Sequence, residues 1–297
     1  MTISDKNRYR VDVYGERLRN RVAQLPAGLQ TVAWYINDNR QRVLDSTALD
    51  IAALTGTSDA TVIRAVQGLG FAGLRDLKKT LHSWFEPVMT SADKMSTTLQ
   101  TLSCDINSSI DFVLEGHRRT CDSLATPQNR DALARAVALL LDARQVGIFG
   151  INASGILAEY AARQFRRIGI DSQPLNRAGI GLAEQLLGLQ RGDVLLMMAQ
   201  QSAHREGMTT LAEAKRLGNP VILLTNATES TFANAADVVV QVPRGGEKGK
   251  IPLHGPVLVC LEMLILSVAS SDSPRTLKSM KRIQDLNRSL KSGGQKR

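Results

Sequence analysis

Between residues 145 and 242 the chain repeats one pattern, a short apolar run followed by a stretch long enough for a helix. Val146-Gly-Ile-Phe149 and the runs at 193–198, 220–225 and 237–242 are apolar at nearly every position, and 170–175 is a weaker fifth run. Helices are expected between them, near 154–168, 180–189 and 206–217. A strand apolar at consecutive positions is covered on both faces, which an antiparallel sheet with one wet face does not require. Apolar strands alternating with helices therefore predict a doubly wound, parallel five-stranded α/β domain over 127–274.

The first part of the chain has a different period. After a polar start with clustered arginines (Arg8, Arg10, Arg17, Arg19, Arg21), Pro26 opens a helix in which Leu29, Val32, Ala33 and Ile36 form one apolar stripe. Asn37-Asp38-Asn39 closes it. Ser46 or Thr47 caps a short helix carrying Leu49, Ala52 and Ala53, and Gly56 provides the turn after it. Ser58 caps a third helix whose inner stripe is Val62, Ala65, Val66 and Leu69, and a fourth carries Leu74, Leu77, Leu81 and Phe85. The second and third helices have helix-turn-helix proportions, so residues 1–87 are expected to form an all-α domain that binds double-stranded DNA. The stripe of the third helix turns Thr61, Arg64 and Gln67 outward. Arg64 suits a guanine or a phosphate, Gln67 an adenine, and Ile63 on the flank a thymine methyl. Ser58 and Thr61 stand at a helix N-terminus, where free N–H groups hold phosphate. The same residues also fit an ordinary solvated face.

A third segment, 88–126, joins the two. Met95, Leu99, Leu102, Ile106, Ile110 and Val113 follow at helical steps, as one helix from Ser91 to about Gly116. Either this stripe packs on the second domain or it pairs with a partner subunit.

Charge is unevenly spread. Residues 1–89 carry 12 basic against 9 acidic side chains, whereas 275–297 carry 8 against 1. A basic tail attracts phosphate backbones without specificity. The opening MTISDKNRYR lacks the apolar stretch of a secretory signal, and no window reaches the roughly 18 uncharged apolar residues of a membrane span. Cys104, Cys121 and Cys260 lie far apart and lack metal-ligand spacing. A cytoplasmic protein without metal or cofactor, and without a membrane partner, is expected.

The run 49–64, continuing through Leu69-Gly70-Phe71 and 74–78, resembles the N-terminal domain of RpiR/MurR-type regulators. Their recognition helix reads Ser-x-x-Thr-Val-x-Arg, followed by Leu-Gly-Phe and a Leu-Lys helix, and each position is matched. The second half resembles the SIS (sugar-isomerase-like) fold, flavodoxin-like in topology, that completes this architecture. The resemblance implies a transcriptional regulator, not an enzyme, whose operator affinity a small metabolite controls. It also implies that Ser154, in the strand-to-helix loop Gly150-Ile-Asn-Ala-Ser154-Gly155, contacts that ligand. Asn152 and Gly155 share this loop, whose N–H groups suit an anion.

One motif departs from the family. Sugar-phosphate binders have Ser-x-Ser-Gly-x-Thr after the third strand, and this chain has Ala199-Gln200-Gln201-Ser202-Ala203-His204. The loop still lies where a ligand should sit, so Gln200, Gln201, Ser202 and His204 are candidate contacts, with Thr225 on the same rim. Hydroxyl-rich phosphate cradling is not what they offer. The departure points to a sugar acid or other altered anion, or to a weakened site. Arg177 and Asn226 flank the rim. His204, His254 and Glu184 are available in principle to an isomerase, the rival reading, but His254 stands in a Pro-Leu-His-Gly-Pro turn similar to that of the non-catalytic regulators, and no catalytic residue is assigned. A ligand-independent repressor is the third reading. Paired half-sites require a homodimer or tetramer.

Overall fold

The computed structural model describes residues 12–85, 90–102, 105–199, 204–228, 230–243 and 250–292. The chain divides into two compact units, one ending at Val88 and one beginning at Met89.

The first unit contains α1 (Val13–Arg21), a 3-10 turn (Val22–Gln24), α2 (Ala27–Asp38), α3 (Arg40–Asp45), α4 (Ala48–Thr55), α5 (Asp59–Gly68) and α6 (Leu74–Phe85). Its core joins Tyr14 and Leu18 of α1 to Val32 and Ile36 of α2, Val62 and Val66 of α5, and Leu77 and Leu81 of α6. Two of these helices were not foreseen. Helix α1 lies in the arginine-rich start, where Tyr14 and Leu18 form the buried side of an otherwise polar helix. Asn39 closes α2 and leads directly into α3, whose Val43 is buried.

In α4 the expected stripe is one residue out of phase. Thr47 is the N-cap, in a capping box with Asp50, and the helix starting there turns Ile51 and Ala52 inward. Leu49 and Ala53 face solvent, Leu49 at 69% exposure. A single residue is about 100° of helix, enough to carry Leu49 off the buried face.

The second unit begins with α7 (Ser91–Thr101), α8 (Ile106–Leu124) and α9 (Pro127–Leu141). The single helix expected from Ser91 to Gly116 is two: α7 ends with Leu102 in an extended conformation (ψ 122°), and α8 starts afresh after Asp105. The stripe continues across the break, but Met95, Leu99, Ile106, Ile110 and Val113 are exposed.

Next come β1 (Val146–Phe149), α10 (Ala153–Arg167), β2 (Ser172–Leu175), α11 (Ile180–Leu186), β3 (Val194–Met198), α12 (Arg205–Leu217), β4 (Val221–Thr225), α13 (Thr231–Ala235) and β5 (Val238–Gln241). All pairings are parallel, in the order β2-β1-β3-β4-β5. Alternate residues of β3 serve opposite layers. Leu196 belongs to one core with Ala136 of α9, Phe165 of α10 and Leu264 of α14 (Gly255–Ser271), whereas Leu195 and Met197 belong to another with Leu182 of α11, Leu211 of α12 and Phe232 of α13. The expected basic tail is largely a helix, α15 (Ser273–Ser292). Among the described residues no single helix is long and apolar enough to cross a membrane.

Candidate DNA interface and ligand rim

The turn between α4 and α5 is held from inside. Gly56 adopts φ 64°, which only a residue without Cβ takes without strain. The Thr57 N–H donates to Ala52 O, and the hydroxyls of Thr55 and Thr57 pair at 2.8 Å. Ser58 Oγ then accepts the Thr61 N–H at 3.2 Å and pairs with Thr61 Oγ1 at 2.9 Å. Ser58 is thus the cap that starts α5, which leaves the free N–H groups of the first turn as the better phosphate donors. Val62, Ala65, Val66 and Leu69 are buried. Ile63 is half-buried, and Arg64 and Gln67 are exposed, with no side-chain partner among the described residues.

Arg17, one of the clustered arginines of the polar start, is held within the domain. Its guanidinium donates to Gly70 O at 2.6 Å and lies 4.3 Å from the centre of the Phe71 ring. A cation there satisfies a carbonyl just past the end of α5, where the dipole is negative. Tyr14 anchors α1 from below through a 2.7 Å bond from its hydroxyl to Ala33 O, and burial pushes its phenol well above the ordinary value.

In the second unit the strand order reverses between β1 and β3, and the crevice at the carboxyl ends of those strands is where open α/β sheets bind ligands. The loop from β1 into α10 is tight. A side chain on Gly150 would collide with the Ser154 carbonyl, and one on Gly155 would press on Gly150 O at 3.2 Å. Asn152 has φ 57° and ψ −124°, and is the one non-glycine residue with positive φ among those described. Such a conformation costs on the order of 1–3 kcal/mol, and it persists only where the surroundings enforce it. Ser154 is half-buried, and its hydroxyl has no partner among the described residues.

A network of amides that the sequence did not signal supports this loop. Asn176, at the end of β2, donates to Glu159 Oε1 at 2.8 Å and to Gly155 O at 3.4 Å. Gln185 Oε1 accepts the N–H groups of Asn176 and Arg177, each at 3.0 Å.

His204 sits on the opposite side of the crevice as the N-cap of α12. Its Nδ1 accepts the Gly207 N–H at 3.0 Å, so the ring is neutral with its proton on Nε2. It stacks on Phe149 at 5.9 Å and meets Phe232 at 5.8 Å between centroids. Burial holds its pKa below the ordinary imidazole value, opposed by Glu206. Thr225 is fully buried, and its hydroxyl accepts the Ala227 N–H at 3.0 Å, so it shapes the loop after β4. Gln200, Gln201 and Ser202 lie outside the described residues. Arg177, Glu184 and His254 are exposed. Among the described residues no group of three His, Cys, Asp or Glu side chains could hold a metal ion.

Comparison with known proteins bears on both units. Residues 13–87 match the model of the helix-turn-helix domain of the rpiR family, and residues 139–270 match the SIS domain. An uncharacterised HTH-type transcriptional regulator of Caldanaerobacter subterraneus subsp. tengcongensis is 27% identical over 210 residues, covering 70% of this chain and 72% of the relative. The HTH-type transcriptional regulator RpiR of Escherichia coli (strain K12) is 26% identical over 198 residues, covering 65% and 64%. In fold, the second unit is similar to the sugar isomerase domain of the RpiR transcription factor from Sphaerobacter thermophilus. That likeness has a TM-score of 0.50 at 21% identity and covers 60% of this chain and 95% of that one. A helix-turn-helix domain ahead of a SIS domain, with relatives named as transcriptional regulators, marks a regulator and not an enzyme. The chain belongs to the RpiR family of helix-turn-helix transcriptional regulators that carry a C-terminal SIS domain.

Proposed function

We propose that this regulator reads its operator with α5 and that a small anionic metabolite, bound between the β1–α10 loop and the N-terminus of α12, controls its affinity. The observation that carries the reading is the outward pair Arg64 and Gln67, exposed and unengaged on a helix whose opposite face is buried. Ser58, Thr61 and the N–H groups around them then seat the helix on the phosphates, and Ile63 lies at the margin. The ligand would meet Ser154 and the N–H groups at the start of α10, with the Nε2–H of His204 facing it. Asn152, Gly155 and Thr225 shape the same rim, and Gln200, Gln201 and Ser202 are further candidate contacts.

A sugar phosphate, a sugar acid or a related anion fits a rim of neutral donors at a helix N-terminus. Ligand binding changes how two copies pair, which resets the spacing of their recognition helices. The chain then works as a homodimer or tetramer, in the cytoplasm, with residues 1–87 on DNA, 88–126 as connector and 127–274 as sensor.

Fluorescence anisotropy on DNA from upstream of its own and neighbouring genes, with and without candidate metabolites, tests the reading. Specific, salt-sensitive binding that one metabolite shifts is the expected result. A second reading, a ligand-independent repressor, draws on the engaged positions of Thr225 and His204 and on the missing serines at 199 and 201. It predicts specific binding that no metabolite moves. Absence of specific binding to every fragment would overturn both.

A further inference from the structure

Two helices of the second unit extend past the surfaces that bury them. The first turns of α15 pack on the protomer's own body, where Arg275 and Ser279 lie against Gly169, and Ser279 Oγ donates to Arg166 O at 3.4 Å. The same face continues along the helix as Met280, Ile283, Leu286 and Leu290, at steps of three, three and four residues. Beyond Ile283 it is exposed: Leu286 is 55% and Leu290 79% exposed. Helix α8 does the same in reverse. Its C-terminal half buries Gly116, Thr120 and Leu124, while Ile106, Ile110, Val113 and Leu114 run on from that face into solvent, Ile106 at 77% exposure. Met95 and Leu99 of α7 are exposed as well.

The net charges of the two regions are opposite. Residues 273–292 hold six basic side chains against the single acidic Asp285. Residues 90–124, through the end of α8, hold five acidic ones, Asp93, Asp105, Asp111, Glu115 and Asp122, against Lys94, Arg118 and Arg119, and Glu115 already pairs with both arginines. Within one chain neither strip covers the other, because both are exposed together. From this we infer that the projecting half of α15 of one copy docks on the α7–α8 strip of a second copy, reciprocally, each protomer giving one helix and receiving one. A two-fold pair buries both strips twice and sets the cationic side of α15 beside the acids of α7 and α8. The apolar strip selects protein rather than DNA as its occupant, since phosphates offer nothing to Leu286 and Leu290. The inference rests on the homo-oligomer reading above and names its surfaces.

Sedimentation equilibrium of the full chain tests it. Leu286→Glu with Leu290→Glu, and separately Ile106→Glu with Ile110→Glu, should each weaken association by at least about 100-fold, since the two-fold pair loses each altered aliphatic side chain twice. These side chains are exposed in the protomer, so its melting temperature at subunit concentrations below dissociation should stay unchanged. Arg282→Glu with Lys291→Glu, the basic residues bordering the strip, should also weaken the pair, and Asp105→Lys with Asp111→Lys in the same chain should restore it. An oligomer that survives both apolar pairs of changes overturns this interface and leaves the homo-oligomer reading standing. A wild-type monomer at micromolar concentration overturns both. Unchanged mass with a flattened salt dependence of DNA binding in the charge-reversed protein assigns α15 to DNA and overturns the pairing.

Discussion

Arg64 and Arg17 carry the same charge in the same domain and do different things. Arg64 stands free on the outer side of α5, whereas Arg17 is held against Gly70 O and Phe71. Arg64→Ala should therefore weaken binding to the operator by at least about tenfold, one bidentate base contact, with the melting temperature unchanged; anisotropy and thermal unfolding check the two halves. Tyr14→Phe should do the opposite, costing about 1 kcal/mol of stability through the lost bond to Ala33 O while DNA affinity per folded molecule is kept. His204 adds a pH dependence. Burial disfavours its charged form, so below about pH 6.5 the unfolded chain binds more protons than the folded one. Its contribution is complete above that value and declines as pH falls through it. Asn at 204 keeps an acceptor for the cap and removes the proton site, so the drop in melting temperature between pH 7 and pH 5 should be smaller in His204→Asn. An equal drop in both proteins would remove His204 as the source.

At the scale of elements, the strands were the most legible. Four β runs were apolar enough to identify, β2 (Ser172–Leu175) was the weak one, and the parallel direction follows from the helices between them. The edge strand β5 depends on a residue that no pattern signalled. Asn129, in the first turn of α9, donates to Gln241 O at 2.9 Å and accepts Gln241 N–H at 3.0 Å, imitating a neighbouring strand. Asn129→Ala should cost about 3 kcal/mol, since it leaves the backbone groups of Gln241 and the carbonyl of Ser123 without that partner; urea unfolding measures it. The helical elements were harder. Helix α1 hides its stripe, Tyr14 and Leu18, among arginines, and α3 is too short to show a period. The break between α7 and α8 leaves the apolar spacing intact, which is why the stripe alone read as one helix.

For the whole molecule, the rim between β1 and β3 should act as a stability sensor. A metabolite bound there at one hundred times its dissociation constant should stabilise the folded protein by about 2.7 kcal/mol, visible as a concentration-dependent rise in melting temperature. Ser154→Val should abolish that rise without moving the melting temperature of the free protein by more than a degree or two, because the Ser154 hydroxyl has no partner to lose among the described residues. A rise that persists in the variant would put the ligand elsewhere.

Periodicity and capping were enough to reveal two kinds of domain, the helix-turn-helix and the doubly wound sheet. They also marked out the outward face of α5 and the loops after β1 and β3, because these depend on neighbours a few residues apart. What a side chain at the crevice is already engaged in was beyond them. His204 is a cap and Thr225 is buried through contacts with Gly207, Phe149 and Ala227 that the fold assembles. The fate of the exposed stripe and of the basic C-terminal helix was equally undecided, since the same spacing serves a buried helix and an uncovered one. Burial is a property of what lies opposite, and only the packed chain supplies that.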